Sequence, residues 1–229
     1  MLAAFAAAVF STNSCLVRIN KKAIENNMIM ADGELVTRTV SIDGEVREYR
    51  LVGSGDFTFI QSDGAPCLEI TTSENIMPYL KTDVTDGVLT CIFHSDSTFQ
   101  FHSGQVSVVL KAADLEGLQV VGSGDAVIEG LKRDGDFSVA IAGSGDVRID
   151  GLSCDNLHVV VAGSGDAKIG VTAKNGIDAS IAGSGDVRLT GSADRASFSV
   201  TGSGDIFANG LKVKGDVSTS VKGSGDIRL

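Results

Sequence analysis

Residues 137–166 read FSVAIAGSGDVRIDGLSCDNLHVVVAGSGD, which is one complete unit of an internal repeat followed by the start of the next. The motif Gly-Ser-Gly-Asp (GSGD) occurs seven times in the chain, and its last six copies begin 19 to 21 residues apart. A constant period of about 20 residues is typical of a solenoid. The copies begin at Gly53, Gly122, Gly143, Gly163, Gly183, Gly202 and Gly223.

Each unit contains two strand patterns separated by the GSGD motif. Apolar residues alternate with polar or small ones before and after it, as at Phe137, Val139, Ile141, Val147 and Ile149. Alternation with a period of two predicts strands with one buried face. A second corner follows at Gly130, Gly151, Gly191 and Gly210, and then a polar turn such as Asp155-Asn156.

Units this short leave no room for helices. The sequence predicts an all-β fold, a single-stranded right-handed parallel β-helix with rungs of about 20 residues. The left-handed hexapeptide solenoid requires multiples of six residues, which spacings of 19 to 21 do not keep. Gly145 and Gly165, within the motif, are expected to need positive φ, so that valine there should destabilise the fold.

The repeated GSGD motif and the segment before it resemble a known family. That segment contains Leu68-Glu69-Ile70, then Glu74 to Pro78, then Asp86-Gly87-Val88-Leu89. From about Val40 to Leu229 the chain is similar to the head GIN domain family of putative autotransporter adhesins. The resemblance implies a β-helical bacterial protein, either secreted or in the cell envelope, with an adhesive role and no established activity.

Composition narrows the classes of function. The 229 residues are 43% apolar and carry a formal net charge of -10, with 28 glycines and no tryptophan. Few aromatic residues and many glycines suit stacked rungs with tight corners better than a packed enzyme core. Because a phosphate-binding surface needs a basic patch and no Lys/Arg cluster occurs, nucleic acid is excluded as a partner.

The N-terminus resembles an export signal. Residues 1–15 read MLAAFAAAVFSTNSC, an apolar run followed by small polar residues, and Cys15 is a candidate lipid anchor. We therefore expect a protein exported to the periplasm, outer membrane or cell surface of a bacterium, in contact with the membrane only through that anchor. An ordinary terminus is the alternative. Residues 16–35 are interpreted as a linker.

The remainder is interpreted as one continuous domain, residues 36–229. Residues 36–112 form an irregular β region that caps the solenoid, and residues 113–229 form the regular repeats. Asp43-Gly44, between two alternating runs, predicts a hairpin. The 69 residues between the first two GSGD motifs correspond to about three and a half rungs, so irregular coils are expected between those motifs.

The motif aspartates should form a ladder along the solenoid. Stacked carboxylates repel each other, and calcium would compensate for this repulsion. The favoured interpretation is structural: Asp and Ser side chains accept hydrogen bonds from corner N–H groups, and basic residues two positions on neutralise Asp146, Asp166, Asp186 and Asp226. These bases are Arg148, Lys168, Arg188 and Arg228. In the alternative interpretation, calcium would bind a ladder made of Asp125, Asp146, Asp166, Asp186, Asp205 and Asp226.

No residue is nominated as catalytic, and no cofactor or resident metal is expected. The motif serines have no histidine in their register to act as a base. His94, His102 and His158 are interpreted as surface residues, since two or three histidines without a clear ligand set make a poor zinc site. Cys67 and Cys91 could form a disulfide if their strands stack; otherwise they and Cys154 are buried thiols.

The predicted function is therefore non-enzymatic: an adhesin-like or scaffolding β-helix that binds a surface glycan or protein. One alternative is a carbohydrate-binding or carbohydrate-active β-helix that uses the irregular region Asp63 to Gly104. The other is self-association through the solenoid ends, because the sequence stops at Leu229 within a repeat and would leave an open edge.

Overall fold

The computed structural model describes residues 28–31, 33–42, 44–93, 98–100 and 106–229. Strands make up 70% of the structure, which is a β-solenoid of about six turns, so the predicted fold class is confirmed. Helical structure in these ranges is confined to a 3-10 turn at Met77–Tyr79. No helix among the described residues has the length and apolar character to cross a membrane. The strands are β1 (Met28–Met30), β2 (Leu35–Ser41), β3 (Glu48–Gly53), β4 (Asp56–Gln61), β5 (Cys67–Ser73), β6 (Leu80–Thr85), β7 (Val88–Phe93), β8 (Thr98–Gln100), β9 (Val106–Ala112), β10 (Gly117–Gly122), β11 (Ala126–Ile128), β12 (Leu131–Lys132), β13 (Phe137–Gly143), β14 (Val147–Gly163), β15 (Ala167–Gly183), β16 (Val187–Ala193), β17 (Arg195–Gly202), β18 (Ile206–Val213), β19 (Val217–Gly223) and β20 (Ile227–Arg228).

Successive coils stack in parallel, with equivalent residues above one another. In the stack that precedes the GSGD corner, β3, β10, β13, β14, β15, β17 and β19 follow in order, and Gly143 pairs with Gly163, which pairs with Gly183. A second stack follows the corner and contains β4, β11, β14, β15, β16, β18 and β20. The long strands β14 and β15 continue around the second corner, where Leu152 pairs with Val171.

The interior is a column of alternating apolar side chains. Phe57, Phe137 and Phe198 are each at most 1% exposed, and Tyr49 stacks on Phe57 with ring centroids 3.8 Å apart. Burying one such side chain stabilises the fold by about 1.5–3 kcal/mol. Because one coil buries only a few of them, stability depends on stacking many coils.

The position of the first GSGD coil corrects the expectation drawn from sequence spacing. Gly53 pairs directly with Gly122, and Phe57 pairs with Ala126, so no coil lies between the first two motifs. The intervening strands instead stack on the opposite side of the first coil, where β7 pairs in parallel with β3 and β9 pairs in parallel with β4. Because these strands add to the end of the stack, the length of the segment does not fix the number of coils between the two motifs.

The hairpin prediction at Asp43-Gly44 is also wrong. Strand β2 pairs antiparallel with β5, from Leu35 opposite Ser73 to Ser41 opposite Cys67, and not with β3. Strand β5 pairs antiparallel with β9, and β6 with β7. These antiparallel strands lie at the end of the solenoid that is opposite β19 and β20.

The motif glycines are required for two different reasons. The first glycine of each motif has positive φ, for example +142° at Gly143 and +141° at Gly163. Gly145 and Gly165 do not, so the expected reason for their presence is wrong. A Cβ atom on Gly165 would instead overlap the carbonyl oxygen of Gly145 in the preceding coil. Close contact between stacked backbones, and not φ, requires glycine there.

Some of the sequence predictions fall outside the described residues. They concern the signal-like segment 1–15, the candidate anchor Cys15, most of the linker 16–35, and the histidines His94 and His102.

Candidate functional site

The GSGD corners form a continuous edge along the solenoid, here called the GSGD ridge, made of the motif serines and aspartates. Five of the motif aspartates, Asp125 to Asp205, each accept a hydrogen bond at Oδ1 from the backbone N–H of the aspartate in the next coil. The N–O distances run from 2.8 to 3.0 Å along Asp125, Asp146, Asp166, Asp186, Asp205 and Asp226. The carboxylates therefore cap backbone donors one coil further on.

The backbone at the corner explains why a side chain is needed there. The carbonyl of Gly143 accepts from the N–H groups of both Ser164 and Gly165, at 2.8 and 3.2 Å. The next N–H, on Asp166, has no backbone acceptor in that pattern and bonds to Asp146 instead. Because a buried unpaired N–H costs about 1–3 kcal/mol, the aspartate stabilises each junction between coils.

Basic side chains next to the ridge neutralise only part of it. Arg188 lies 3.0 Å from Asp186 and 3.6 Å from Asp166, and Arg228 lies 3.6 Å from Asp226, as predicted. Arg148 differs, because it pairs with Asp150 at 2.8 Å, and this hydrogen bond raises the pKa of Arg148. Lys168 makes no ion pair with the ridge within the described ranges.

Two of these arginines also contact an aromatic ring. Arg188, Phe207 and Arg228 occupy the same register in successive coils. Their guanidinium carbons lie 4.7 and 5.0 Å from the centre of the Phe207 ring, which places the ring between two cations. This contact was not predicted from the sequence, although the shared register of residues 188, 207 and 228 could have shown it.

A different set of ion pairs lines the polar turn. Lys174 bonds to Asp155 and Asp134 at 2.9 and 3.1 Å, which raises its pKa, and Lys214 bonds to Asp194 at 2.9 Å. Arg133, whose side chain is only 7% exposed, donates from Nη1 to the carbonyl of Leu115. The turn is therefore a ladder of opposite charges that joins neighbouring coils.

The described residues offer little support for a metal site or a nucleophile. No group of three or more His, Cys, Asp or Glu side chains there has the arrangement to hold a metal ion. The calcium ladder stays a prediction, and the motif serines are exposed. His158 is a half-exposed surface residue whose Nδ1 lies 3.5 Å from Asp178 Oδ2.

Ser138, His158 and Asp178 follow one another in a single outward column. These are the residue types of a hydrolase triad, and sequence reasoning overlooked the column. The Ser138 hydroxyl, however, lies against Gly117 in the preceding coil, on the side away from His158. Backbone N–H groups beside it are engaged in the sheet, so the column has no free pair of donors to stabilise an oxyanion.

The cysteines in the described structure are free. The disulfide between Cys67 and Cys91 is not formed, because β5 and β7 belong to different stacks. Cys91 and Cys154 are buried, and burial raises their thiol pKa values to about 12 and about 11. Cys67 is half-buried, so the expectation of a fully buried thiol is wrong for it.

Three cavities bounded by described residues are small. One of about 90 Å³ lies beside the first corner, near Gly55 and Cys91. Two of about 210 Å³ lie on the polar-turn side, one near Arg47 and Glu116 and the other near Asp178 and Arg195. Pockets for small-molecule ligands usually measure about 300–1,000 Å³.

The sequence model of the family described as "Putative auto-transporter adhesin, head GIN domain" matches residues 47–177 and 169–229. The chain belongs to this family. The resemblance inferred from the GSGD repeats is thereby confirmed. The family description and the names of two of the similar solved structures reported below are those of putative adhesins.

Three solved structures are similar to this head GIN domain chain. A putative adhesin from Parabacteroides distasonis is 26% identical with a TM-score of 0.81, over 88% of this chain and 84% of that one. A putative lipid binding protein from the same species is 27% identical with a TM-score of 0.77, over 88% and 99%. A putative adhesin from Bacteroides fragilis, at 24% identity and a TM-score of 0.70 over 87% and 99%, supports the fold alone. No curated protein matches the sequence.

Proposed function

We propose that this head GIN domain chain is a non-enzymatic adhesin-like scaffold that binds a surface glycan or protein through its outward faces and the GSGD ridge. The observation that carries the proposal is the shape of the solenoid. It presents columns of repeated side chains, and three cavities bounded by described residues measure about 90 to 210 Å³. Such a surface suits a large partner better than an enclosed substrate.

The ridge has free hydrogen-bonding capacity. In the motif aspartates from Asp125 to Asp205, Oδ1 is used to cap the next coil, whereas the motif serines are exposed to solvent. The fold therefore holds a row of hydroxyl groups at a fixed spacing of about 4.8 Å per coil. A rigid row pays little conformational entropy when a partner binds.

The proposed location is outside the cytoplasm, in the periplasm, in the outer membrane or on the cell surface. The adhesin description of the family supports export. The proposal includes two features of the N-terminus: lipidation at Cys15 and removal of the signal-like segment 1–15. Mass spectrometry of the protein from membranes would test both features.

Self-association is a second candidate. In β19 the inward side chains Val217 and Val221 are 38% and 44% exposed, whereas their partners Ala196 and Val200 in β17 are at most 4% exposed. A second copy stacked on β19 would bury this apolar surface. Light scattering of the purified chain should then give a dimer mass, and a monomer at all concentrations would contradict this candidate.

The adhesive function is tested by binding the full chain to arrays of glycans and extracellular-matrix proteins. We expect saturable binding to one ligand class. A ridge variant, Ser144→Arg with Ser164→Arg and Ser184→Arg, should lose most of that binding. A control with Thr172→Arg and Thr190→Arg, on another exposed face, should keep it. Absence of binding by the unmodified chain would contradict the function, and equal binding by both variants would exclude the ridge.

A further inference from the structure

One of the two larger cavities has the polar groups of a binding site. It measures about 210 Å³ and lies on the outer surface where β17 and β19 begin, beside the second half of β15. Asp178, Ser197 and Ser218 pair in register across three coils and form one wall. Arg195 and Asp216 form the side nearest the polar turn.

The stem of Arg195 lies over a position that has no side chain. Gly176 pairs with Asn156 on one side and with Arg195 on the other. A Cβ atom on Gly176 would lie 3.0 Å from Cγ and 3.1 Å from Nε of Arg195. The stem of Arg195 therefore occupies the space that a side chain at residue 176 would need, and glycine there allows Arg195 its place at the edge of the cavity.

Arg195 differs from the other cations of the polar turn. Arg133, Lys174 and Lys214 each contact carboxylates of neighbouring coils. No ion pair or hydrogen bond of the Arg195 side chain is found within the described part of the chain, although Asp178 and Asp216 line the same cavity. Its guanidinium donors therefore remain available to a ligand.

The groups around the cavity match the hydroxyl groups of a sugar. Two carboxylates accept hydrogen bonds, the guanidinium donates them in a planar fork, and two serine hydroxyls do both. The ring hydroxyls of a sugar both donate and accept hydrogen bonds, so they need acceptors and donors around them. Two carboxylates and one guanidinium give the cavity a net negative charge, which disfavours an anionic ligand. A half-open cavity of this size accommodates one ring and leaves its substituents in solvent.

We propose that the cavity between Asp178, Arg195, Ser197, Asp216 and Ser218 binds a neutral pyranose residue of a surface glycan. The proposal rests on the adhesive function proposed above and names the ligand class for one site on the solenoid. Arg195 and Asp178 hold neighbouring ring hydroxyls, and Ser197 and Ser218 contact the next substituent along the coil stack.

The test uses nuclear magnetic resonance of the full isotopically labelled chain. Methyl glycosides of glucose, galactose and mannose are titrated separately. We expect one of them to shift the amide signals of Asp178, Ser197 and Ser218 and the Arg195 side-chain signal in a saturable way. Arg195→Gln should weaken binding about tenfold or more, because a hydrogen bond from a charged group is lost.

Two further variants separate the site from general effects. Gly176→Asn introduces at position 176 the side chain that Asn156 carries in the preceding coil. It should weaken binding, because the new side chain would displace the stem of Arg195. Arg38→Gln removes an exposed arginine from β2, at the other end of the solenoid, and should leave binding unchanged. Equal thermal unfolding of all three variants would show that the fold is retained.

The proposal is overturned if none of the three glycosides gives saturable shifts at these residues, or if Arg195→Gln binds as tightly as the unmodified chain. Saturable shifts only with N-acetylneuraminic acid or only with spermidine would also overturn it, in favour of an anion or amine site. Array binding that persists without any glycoside shift leaves the adhesive function standing. Glycoside shifts without array binding leave the pyranose site standing and remove the adhesive function.

Discussion

The backbone N–H of Asp166 donates to Oδ1 of Asp146 in the preceding coil, at 2.8 Å. The same contact joins every pair of adjacent coils from Asp125 to Asp226. The aspartate side chain of the motif is therefore a cap for the neighbouring coil. This relationship explains why an acidic row is tolerated, since each carboxylate compensates a backbone donor.

Removing one cap should destabilise the solenoid. Asp166→Ala leaves the N–H of Asp186 without its acceptor, and we expect the free energy of unfolding to fall by about 1–3 kcal/mol. Asp166→Asn keeps an oxygen at the same place and should change it by about 0.5 kcal/mol or less. Urea unfolding measures both. If both variants lose equal stability, then charge and not capping explains the aspartate.

Close backbone contact predicts a marked difference between two glycines. Gly165→Ala places Cβ against the carbonyl oxygen of Gly145, and overpacking of this kind costs about 1–3 kcal/mol or more. At Gly130 the atom nearest to an added Cβ would be the Gly151 carbonyl oxygen, 3.8 Å away, so Gly130→Ala is the matched control. Its unfolding free energy should change by about 0.5 kcal/mol or less. Equal effects would contradict the stacked corner geometry.

The buried thiols predict a loss of stability at alkaline pH. Burial raises the pKa of Cys91 to about 12 and that of Cys154 to about 11, from 9.0. Above pH 9 the unfolded thiols ionise while the folded ones stay protonated, so the unfolded state gains stability. Each thiol then lowers the free energy of unfolding by about 1.4 kcal/mol per pH unit, up to its folded pKa.

The comparison is between urea unfolding near neutral pH and the same measurement at alkaline pH. A double variant, Cys91→Ala with Cys154→Ala, serves as the control. Its unfolding free energy should fall less steeply above pH 9 than that of the unmodified chain. Parallel curves for the two proteins would show that these thiols are not shielded from solvent as the structure places them.

A side chain also completes the backbone ladder after the first corner. Gln61 donates to the carbonyls of Ala113 and Lys132 and accepts from the N–H of Lys132, at 2.8 to 3.0 Å. Gln61→Ala removes these contacts and should lower the free energy of unfolding by about 0.5–1.5 kcal/mol. Lys132→Ala, which changes only an exposed side chain, should have little effect on the same urea curve. If Gln61→Ala left the free energy of unfolding unchanged, water would have to replace the side-chain amide as the partner of these backbone groups.

The regular repeats could be predicted from the sequence because period and register are linked. A GSGD motif every 19 to 21 residues places Gly143, Gly163 and Gly183 in one column, and alternation then decides which side chains point inward. The position of the first motif could not be predicted. Gly53 is 69 residues from Gly122 along the chain and yet pairs with it, because the intervening strands β7 and β9 stack on the other side of the first coil.

The candidate sites depended on contacts between coils, which spacing alone does not define. The pairing of Arg188 with Asp186 followed from strand alternation, but Arg148 pairs with Asp150 because that carboxylate lies on the same strand face. The cavity beside Arg195 is lined by residues of three coils, Asp178, Ser197 and Ser218 among them. It became visible only once the register of these coils was known.

The aspartates of the ridge either serve the fold, as the capping contacts indicate, or hold a metal. The decisive measurement is thermal and urea unfolding of the full chain in calcium and in chelator, alongside Asp166→Asn. We predict the same unfolding midpoint in both solutions for both proteins. A bound ion at one hundred times its dissociation constant would instead stabilise the fold by about 2.7 kcal/mol. A rise of that kind with calcium, lost in Asp166→Asn, would contradict the capping role and support a calcium ladder.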